Sequence, residues 1–414
     1  MPTLLARAGG AWWIRLNSGW GIFMPKVGWI LSVVLFVLGT LSATQGFLDG
    51  VKASGSKDFH WSVSRQLLNH ENPHHLYVEH RPLVLERPRI VPAYPVSGEI
   101  FLWPLAALNF DHAKRLWAAA NIVFAIGSVI LIARMTAVNG VVVLAMLGLF
   151  LASTPVRNTI GNGQQGLFSF FFFLLAVDQQ RQERTPLAAL CLAASWLKYT
   201  VSLPLSLIFI RRGWRMTFAI ASAVHIGLTL FLAFWTGESP LDLLLGSIMA
   251  AGDTVVTPRM FDVIAIARYL GVSSLIGPGS VGIALFIVVA ALLFKSTNDL
   301  MFDLSMLSLV SLIWAYHGQY DYFVLIIPLI YVLKHWQQKT IDAPDTLIVF
   351  STFLIWYVQR ILDGAVAWSS ENISLSLASD IIFWLSGLTF YAAFISYFTS
   401  AFVRRRPVPL VAKD

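Results

Sequence analysis

Apolar runs separated by short polar segments recur along this chain from residue 28 to residue 402. A membrane-spanning helix needs about 20 apolar residues, and runs of 10 to 14 are often re-entrant or interfacial. The pattern therefore predicts an all-α integral membrane protein with many spans. The runs lie near residues 28–48, 97–108, 116–136, 140–153, 166–177, 186–197, 200–210, 216–235, 277–294, 300–315, 322–333, 345–361 and 380–402.

The run at 97–108 decides how the others are threaded. It is short and contains Pro104. Treating it as non-spanning places three basic clusters on the cytoplasmic side, as short cytoplasmic loops favour. These clusters are Arg181–Arg184, Arg211-Arg212 and the stretch 404–406. The threading then predicts about twelve transmembrane helices with both termini inside.

The runs at 186–197 and 200–210 are each too short to cross a membrane alone. Basic loops flank the pair on both sides. We expect a hairpin of two short helices with Lys198 and Tyr199 at its tip. Such a tip is tolerated at membrane depth only inside protein or beside a wet cavity.

Composition agrees with this class of protein. Of the 414 residues, 57% are hydrophobic and only 12% are charged, against about 25% in soluble domains. We expect a single polytopic domain over 1–414, with an outer first loop at 49–114 that contains interfacial helices. The net charge of +7 fits basic cytoplasmic loops, so we expect membrane lipids and no nucleic acid as partners.

On this threading, polar residues from four distant segments gather at the outer side. Polar groups at the ends of spans are costly unless they pair or serve a site. The first loop contributes Asp58, His60, Tyr94 and Glu99; the segment 153–166 contributes Arg157 and Gln164; the hairpin tip contributes Lys198 and Tyr199; and the segment after 315 contributes His317, Tyr320 and Asp321.

The order of these motifs resembles glycosyltransferase family 87, of the GT-C class of integral-membrane sugar transferases. The resemblance extends over about residues 50 to 335 and weakens in the C-terminal spans and basic tail, 335–414. It rests on the series Asp58-Phe59, Asn72-Pro73, Tyr94-Pro95, Asn162-Gly163-Gln164, Trp196-Leu197-Lys198-Tyr199 and Tyr316-His317-Gly318-Gln319-Tyr320-Asp321-Tyr322.

The resemblance implies a GT-C type bundle and a lipid-linked donor, usually polyprenyl-phosphate mannose and in some members an arabinofuranose donor. It also implies an active site on the extracytoplasmic side of the plasma (inner) membrane, with Asp58 as the catalytic base. Where family members often carry tyrosines after Asp-Phe, this chain has His60-Trp61. That departure bears on the donor sugar and leaves the role of Asp58 unchanged.

The chemistry of sugar transfer assigns roles to the other residues. A carboxylate can take the proton of an attacking hydroxyl, and a departing lipid phosphate needs cationic and hydrogen-bonding partners. We expect no metal and no cofactor beyond the lipid-linked sugar. The expected donor-binding residues are Lys198, His317, Gln164, Arg157, Tyr199 and Tyr320, and the expected acceptor or loop contacts are His60, Tyr94 and Glu99.

Other interpretations stay open at this point. Asp58 could cap the helix that follows it, and Lys198 could extend toward the membrane interface. Asp321 could pair with a basic neighbour. A transporter or flippase would also have many spans, although it would usually show two related halves. The acceptor, a glycolipid or another cell-envelope glycan, is not specified by the sequence.

Overall fold

The computed structural model describes residues 25–52, 59–79, 91–252, 262, 299–314, 317–337, 343–368 and 373–403. Within these ranges all regular structure is helical. Among the described residues, five helices are long and apolar enough to cross a membrane, or up to six if the bent pair of helices at 140–162 forms one span. The chain is therefore an α-helical, multi-pass membrane protein. The expected count of twelve spans includes 277–294, which lies outside the described residues, and stays a prediction.

The first long helix leads into a loop that contains only short helices. Asn72 caps one of them, accepting a hydrogen bond from the backbone N–H of His74. The run expected to be non-spanning is broken into two helical turns of four residues joined by a 3₁₀ turn. The helices are α1 (Pro25–Val51), α2 (Trp61–Leu68), α3 (Pro73–Val78), α4 (Val96–Glu99) and α5 (Trp103–Ala106).

The next four helices cross the bundle back and forth. Asn109 and Asn139 cap two of them through their side chains. The chain bends by 56° at Ser153, between the second and third of these helices, because Ser153 caps a new helix that has Pro155 in its first turn. The helices are α6 (Phe110–Thr136), α7 (Gly140–Ala152), α8 (Thr154–Asn162) and α9 (Gly166–Arg181).

Helices α1 and α7 pack with almost touching backbones. Gly39 and Gly148 face one another, and a Cβ atom on either would collide with the partner's backbone. Small residues permit this close approach between membrane helices. The contact fixes α1 against α7, so the first loop begins from a defined position in the bundle.

The following segment folds back on itself at Trp196–Lys198. By length and composition, the stretch Thr185–Arg211 could be one span. However, the Trp196 Nε1 atom donates to the Ser206 Oγ atom at 2.8 Å, and ten residues of continuous helix would separate their backbones by about 15 Å. Arg181, which precedes the two short helices, and Arg212, which follows them, line one cavity, so the chain returns to the end from which it came and the predicted hairpin is confirmed. The helices here are α10 (Thr185–Ser195), α11 (Tyr199–Arg211), α12 (Arg215–Thr236) and α13 (Pro240–Gly252).

The last described helices complete the bundle around α11. The Trp314 indole donates to the Thr200 carbonyl, and Arg211 pairs with Asp303, so α11 runs antiparallel to the helix that begins at Leu300. A 3₁₀ segment, Gln319–Leu325, turns the chain back. The helices are α14 (Leu300–Ile313), α15 (Ile326–Gln337), α16 (Ala343–Phe353), α17 (Gln359–Trp368) and α18 (Ile373–Val403).

The bundle has two ends that differ in character. At one end, which we call the basic end, Arg181, Arg212 and Lys334 line a common cavity. At the other, which we call the site end, the hairpin tip at Lys198 contacts Ser169 and Asp321. The polar residues that the sequence predicted to share one side lie at the site end as far as they are described; Asp58 lies outside the described residues.

Candidate active site

Lys198 is the centre of the site. Its backbone N–H donates to Ser169 Oγ at 3.0 Å, which fixes the hairpin tip against the start of α9. Its Nζ atom lies 2.5 Å from Asp321 Oδ1, and both side chains are only 2% exposed. The ring of half-buried Tyr320 lies 4.5 Å from the same ammonium. Lys198 therefore does not extend toward the membrane interface; the structure holds it inside the protein.

His317 joins this cluster through the second oxygen of Asp321. Its Nδ1 atom lies 3.1 Å from Asp321 Oδ2, while its Nε2 atom is buried and has no hydrogen-bond partner. Because an ionised carboxylate only accepts hydrogen bonds, the Nδ1 atom carries the proton. In the imidazolium form, the Nε2 N–H would be a hydrogen-bond donor without a partner, and it would lie in the same cluster as the Lys198 ammonium. We call Lys198, His317, Tyr320 and Asp321 the lysine cluster.

The Asn162-Gly163-Gln164 turn approaches the lysine cluster from α8 and α9. Gly163 ends α8 in the left-handed region, with φ of 64°, and its carbonyl accepts a hydrogen bond from Trp117 at 2.9 Å. Gln164 is half-buried in this turn. Gly166 lies so close that a Cβ atom there would be 3.4 Å from Asp321 Oδ1. The turn predicted from the sequence is present and borders the cluster.

Arg157 and Tyr199 lie beside the cluster in different ways. Thr159 donates to the Tyr320 carbonyl, whereas Arg157 is about 200° away around α8 and packs against Gly46 of α1. Tyr199 forms an edge contact with the Trp314 ring. Arg157 thus faces α1, and its predicted contact with the donor is the one that the geometry supports least.

A second polar cluster forms in the first loop around Glu99. This carboxylate is fully buried; its Oε1 atom lies 2.8 Å from His60 Nδ1, and its Oε2 atom accepts from Ser64 Oγ at 2.7 Å. Tyr94 stacks on the His60 ring with centroids 4.6 Å apart. The structure therefore brings together the three expected acceptor contacts, His60, Tyr94 and Glu99. Both oxygens of Glu99 are occupied, so Glu99 orients His60.

The two clusters are joined at the hairpin tip. A Cβ atom at Gly98 would lie 2.9 Å from the Cα atom of Leu197, so only glycine permits this approach. Phe59 and Trp117 stack at 5.4 Å in the same apolar cluster as Leu197. The first loop thus packs directly on the residue that precedes Lys198.

Asp58, the predicted base, lies outside the described residues. Its successors Phe59 and His60 adopt positive φ angles of 41° and 62°, which non-glycine residues rarely do. His60 occupies the N-cap position of α2 without a side-chain cap bond. His60 therefore holds the N-cap position, and the capping role of Asp58 stays a prediction.

Sequence reasoning gave less weight to three residues that the structure places at the site. Asp321 orients both Lys198 and His317, and Ser169 anchors the hairpin tip. Gln165 is 1% exposed, and its Oε1 atom has no hydrogen-bond partner. Within the described part of the chain, no group of three or more His, Cys, Asp or Glu residues could hold a metal ion.

The chain is similar to one family of known proteins. Residues 93–328 match glycosyltransferase family 87, which is more than half of the chain. The chain belongs to glycosyltransferase family 87. The matched range contains Tyr94, Glu99 and the whole lysine cluster, and it begins after Asp58 and His60. Neither the curated proteins nor the solved structures contain a significant match.

Membership in glycosyltransferase family 87 makes this protein a membrane glycosyltransferase. A transporter or flippase is thereby set aside as its activity. A buried cation, a histidine with an unused nitrogen and a strained loop meet at one end of the helices.

Proposed function

We propose that this glycosyltransferase moves a sugar from a polyprenyl-phosphate donor to a hydroxyl group of a cell-envelope glycolipid or glycan. Mannose is the proposed sugar, and the site end would face the extracytoplasmic side of the plasma membrane. The observation that carries the proposal is the lysine cluster, in which a buried ammonium and a histidine with an unused nitrogen are oriented by one aspartate.

The donor phosphate would bind at Lys198 and His317. An ammonium has three N–H donors, and Asp321 takes one of them. The others are available to phosphate oxygens, to which lysine binds as a point charge. In its imidazolium form, His317 would donate from its Nε2 atom to a phosphate oxygen. Gln164, Tyr199 and Tyr320 would contact the sugar or phosphate from the rim, and Arg157 would contribute only at a distance.

The base would be Asp58. Consecutive Cα atoms are about 3.8 Å apart, which ties Asp58 to the Phe59 position against Trp117. In the reaction, Asp58 takes the proton of the acceptor hydroxyl as its oxygen attacks the anomeric carbon. The bond from that carbon to the phosphate oxygen breaks, and the lipid phosphate leaves with the electron pair. A single displacement of this kind inverts the anomeric centre.

The acceptor would approach along the first loop. His60 is held by Glu99 through Nδ1 and by Tyr94 through stacking, so its ring has one orientation. His60 follows Asp58 by two positions, and a ring held in one orientation there is suited to guide a sugar hydroxyl. Glu99 would act through His60 and not on the acceptor itself.

A transfer assay tests this function and separates the two donors. Purified protein is incubated with polyprenyl-phosphate mannose or polyprenyl-phosphate arabinofuranose and a membrane-glycan extract as acceptor. Labelled mannose in the extract supports the proposal, and labelled arabinofuranose would replace mannose as the donor sugar. If neither sugar is transferred while the protein stays folded, the polyprenyl-phosphate donor is wrong.

The proposed orientation has its own test. Cys191 is buried and is the single cysteine of the chain. A cysteine placed at position 318 in a Cys191-free protein should react with an impermeant reagent added outside intact cells. Reaction only from the inside would reverse the proposed orientation.

A further inference from the structure

A cavity at the basic end lies on the opposite side of the bundle from the lysine cluster. Its volume is about 570 Å³, within the range of pockets that bind small molecules. Arg181, Arg212 and Lys334 line it from the ends of α9, α11 and α15. Because three separate helices converge there, the cations share one space and are not simply spread over a loop.

The charges around this cavity are not balanced by the protein. In the described part of the chain, Arg181 and Lys334 form no ion pair. Arg212 reaches Asp303 at 2.9 Å, but its buried Nε atom has no hydrogen-bond partner. The lining carboxylate, Asp299, accepts hydrogen bonds from two backbone N–H groups at the start of α14. Among the described residues, the three cations thus share one lining carboxylate, Asp299, which is already engaged, and Arg212 alone has a further partner in Asp303.

The remaining wall of the cavity is apolar. This wall is formed by Met135, Trp214 and Met301, which lie beside the cations. A ligand that suits both walls carries a negative group next to an apolar or glycerol-like part. Basic pockets between membrane helices near the interface bind anionic lipid headgroups in this way.

We propose that this cavity binds a phosphate group, with the phosphate on Arg181, Arg212 and Lys334. A phosphodiester of an anionic membrane lipid fits both walls, and a soluble phosphate would use the same cations. The site is separate from the proposed sugar-transfer site, so binding there can be measured without any transfer activity.

The test compares two double variants of the full-length protein. Arg181→Gln with Lys334→Gln removes two unpaired cations of the cavity. Arg184→Gln with Arg215→Gln removes two exposed cations near the same end that do not line the cavity. Each protein is placed in phosphatidylcholine nanodiscs with or without phosphatidylglycerol, and retained lipid is counted by native mass spectrometry.

The cavity variant should lower the affinity for phosphatidylglycerol about tenfold, since two charge-assisted contacts are lost, whereas the control variant should change it by no more than about twofold. In lipid-free detergent, inorganic phosphate that stabilises the wild type but not the cavity variant would show that soluble phosphate also binds. The proposal is overturned if the cavity variant retains both ligands as well as the wild type, or if the control loses them equally.

Discussion

The Nζ atom of Lys198 lies 2.5 Å from Oδ1 of Asp321, although the two residues are 123 positions apart in the chain. Both side chains are 2% exposed. Removing one partner of a buried ion pair leaves an uncompensated charge, which costs about 3–5 kcal/mol. The pair therefore joins the hairpin tip to the segment before α15 and also fixes the cation that we assign to the donor phosphate.

Neutralising both members of this pair should separate its two roles. We expect Lys198→Gln to destabilise the protein by about 3–5 kcal/mol, because Asp321 stays buried and charged. Adding Asp321→Asn should recover most of that stability. Sugar transfer should remain reduced by about 10²–10³-fold in the double variant, since the cation is still missing. Thermal unfolding in detergent and transfer rates measure the two effects, and recovery of both together would make Lys198 purely structural.

His317 is expected to act on donor binding. Its Nδ1 atom contacts Asp321, and its Nε2 atom is unused. His317→Gln should raise the KM for the lipid donor about tenfold, as loss of one charge-assisted hydrogen bond predicts. His335→Gln is a matched control, because His335 also contacts a buried aspartate, Asp345, at 2.8 Å. An unchanged KM in His317→Gln, or an equal rise in His335→Gln, contradicts the assignment.

The contact between Gly98 and Leu197 should control how the first loop meets the hairpin tip. A side chain at position 98 would collide with the backbone at Leu197. We expect Gly98→Val to cost about 1–3 kcal/mol and to lower sugar transfer more than stability alone explains. Gly227→Val is the control, because nothing lies within 4 Å of a Cβ atom at Gly227. Equal activity of the two variants would show that the loop needs no such contact.

His74 makes the first loop sensitive to acid. Burial, and to a smaller extent charge repulsion from His75, lowers the pKa of His74 from its ordinary value of 6.5 to about 4. The unfolded chain therefore binds a proton at a higher pH than the folded protein. Stability should fall by up to about 3 kcal/mol as the pH drops from 6.5 to 4.

The variant His74→Gln checks this contribution. It should flatten the dependence of the unfolding temperature on pH between 6.5 and 4, because the titrating group is gone. His112→Gln changes an exposed histidine and should leave the dependence as it is in the wild type. If His74→Gln keeps the full acid sensitivity, another group is responsible.

The hydrophobic pattern predicted which segments share one side of the membrane, and this was enough to predict much of the site. Charge bias and the short runs at 186–197 and 200–210 predicted the hairpin, and with it the meeting of Lys198, His317 and Tyr320. The helical phase of Arg157 was not predictable in the same way. It depends on the bend at Ser153, which turns Arg157 toward α1.

The first-loop cluster needed three-dimensional information. Phe59 and His60 are in the left-handed region, and this backbone conformation lets His60 meet Glu99 across 39 residues. Phenylalanine does not signal such a conformation in a sequence, and histidine signals it far less strongly than a glycine would. The same turn places the N-cap of α2 at His60, two residues past Asp58.

We propose that Asp58 and the lysine cluster act together to transfer a sugar from a polyprenyl-phosphate donor. The most direct measurement is the transfer of labelled mannose from polyprenyl-phosphate mannose by purified wild-type protein and by Asp58→Asn. We expect the wild type to transfer sugar. The Asp58→Asn protein should unfold at the same temperature and bind the donor equally but transfer no detectable sugar. Transfer by Asp58→Asn at the wild-type rate would contradict this proposal.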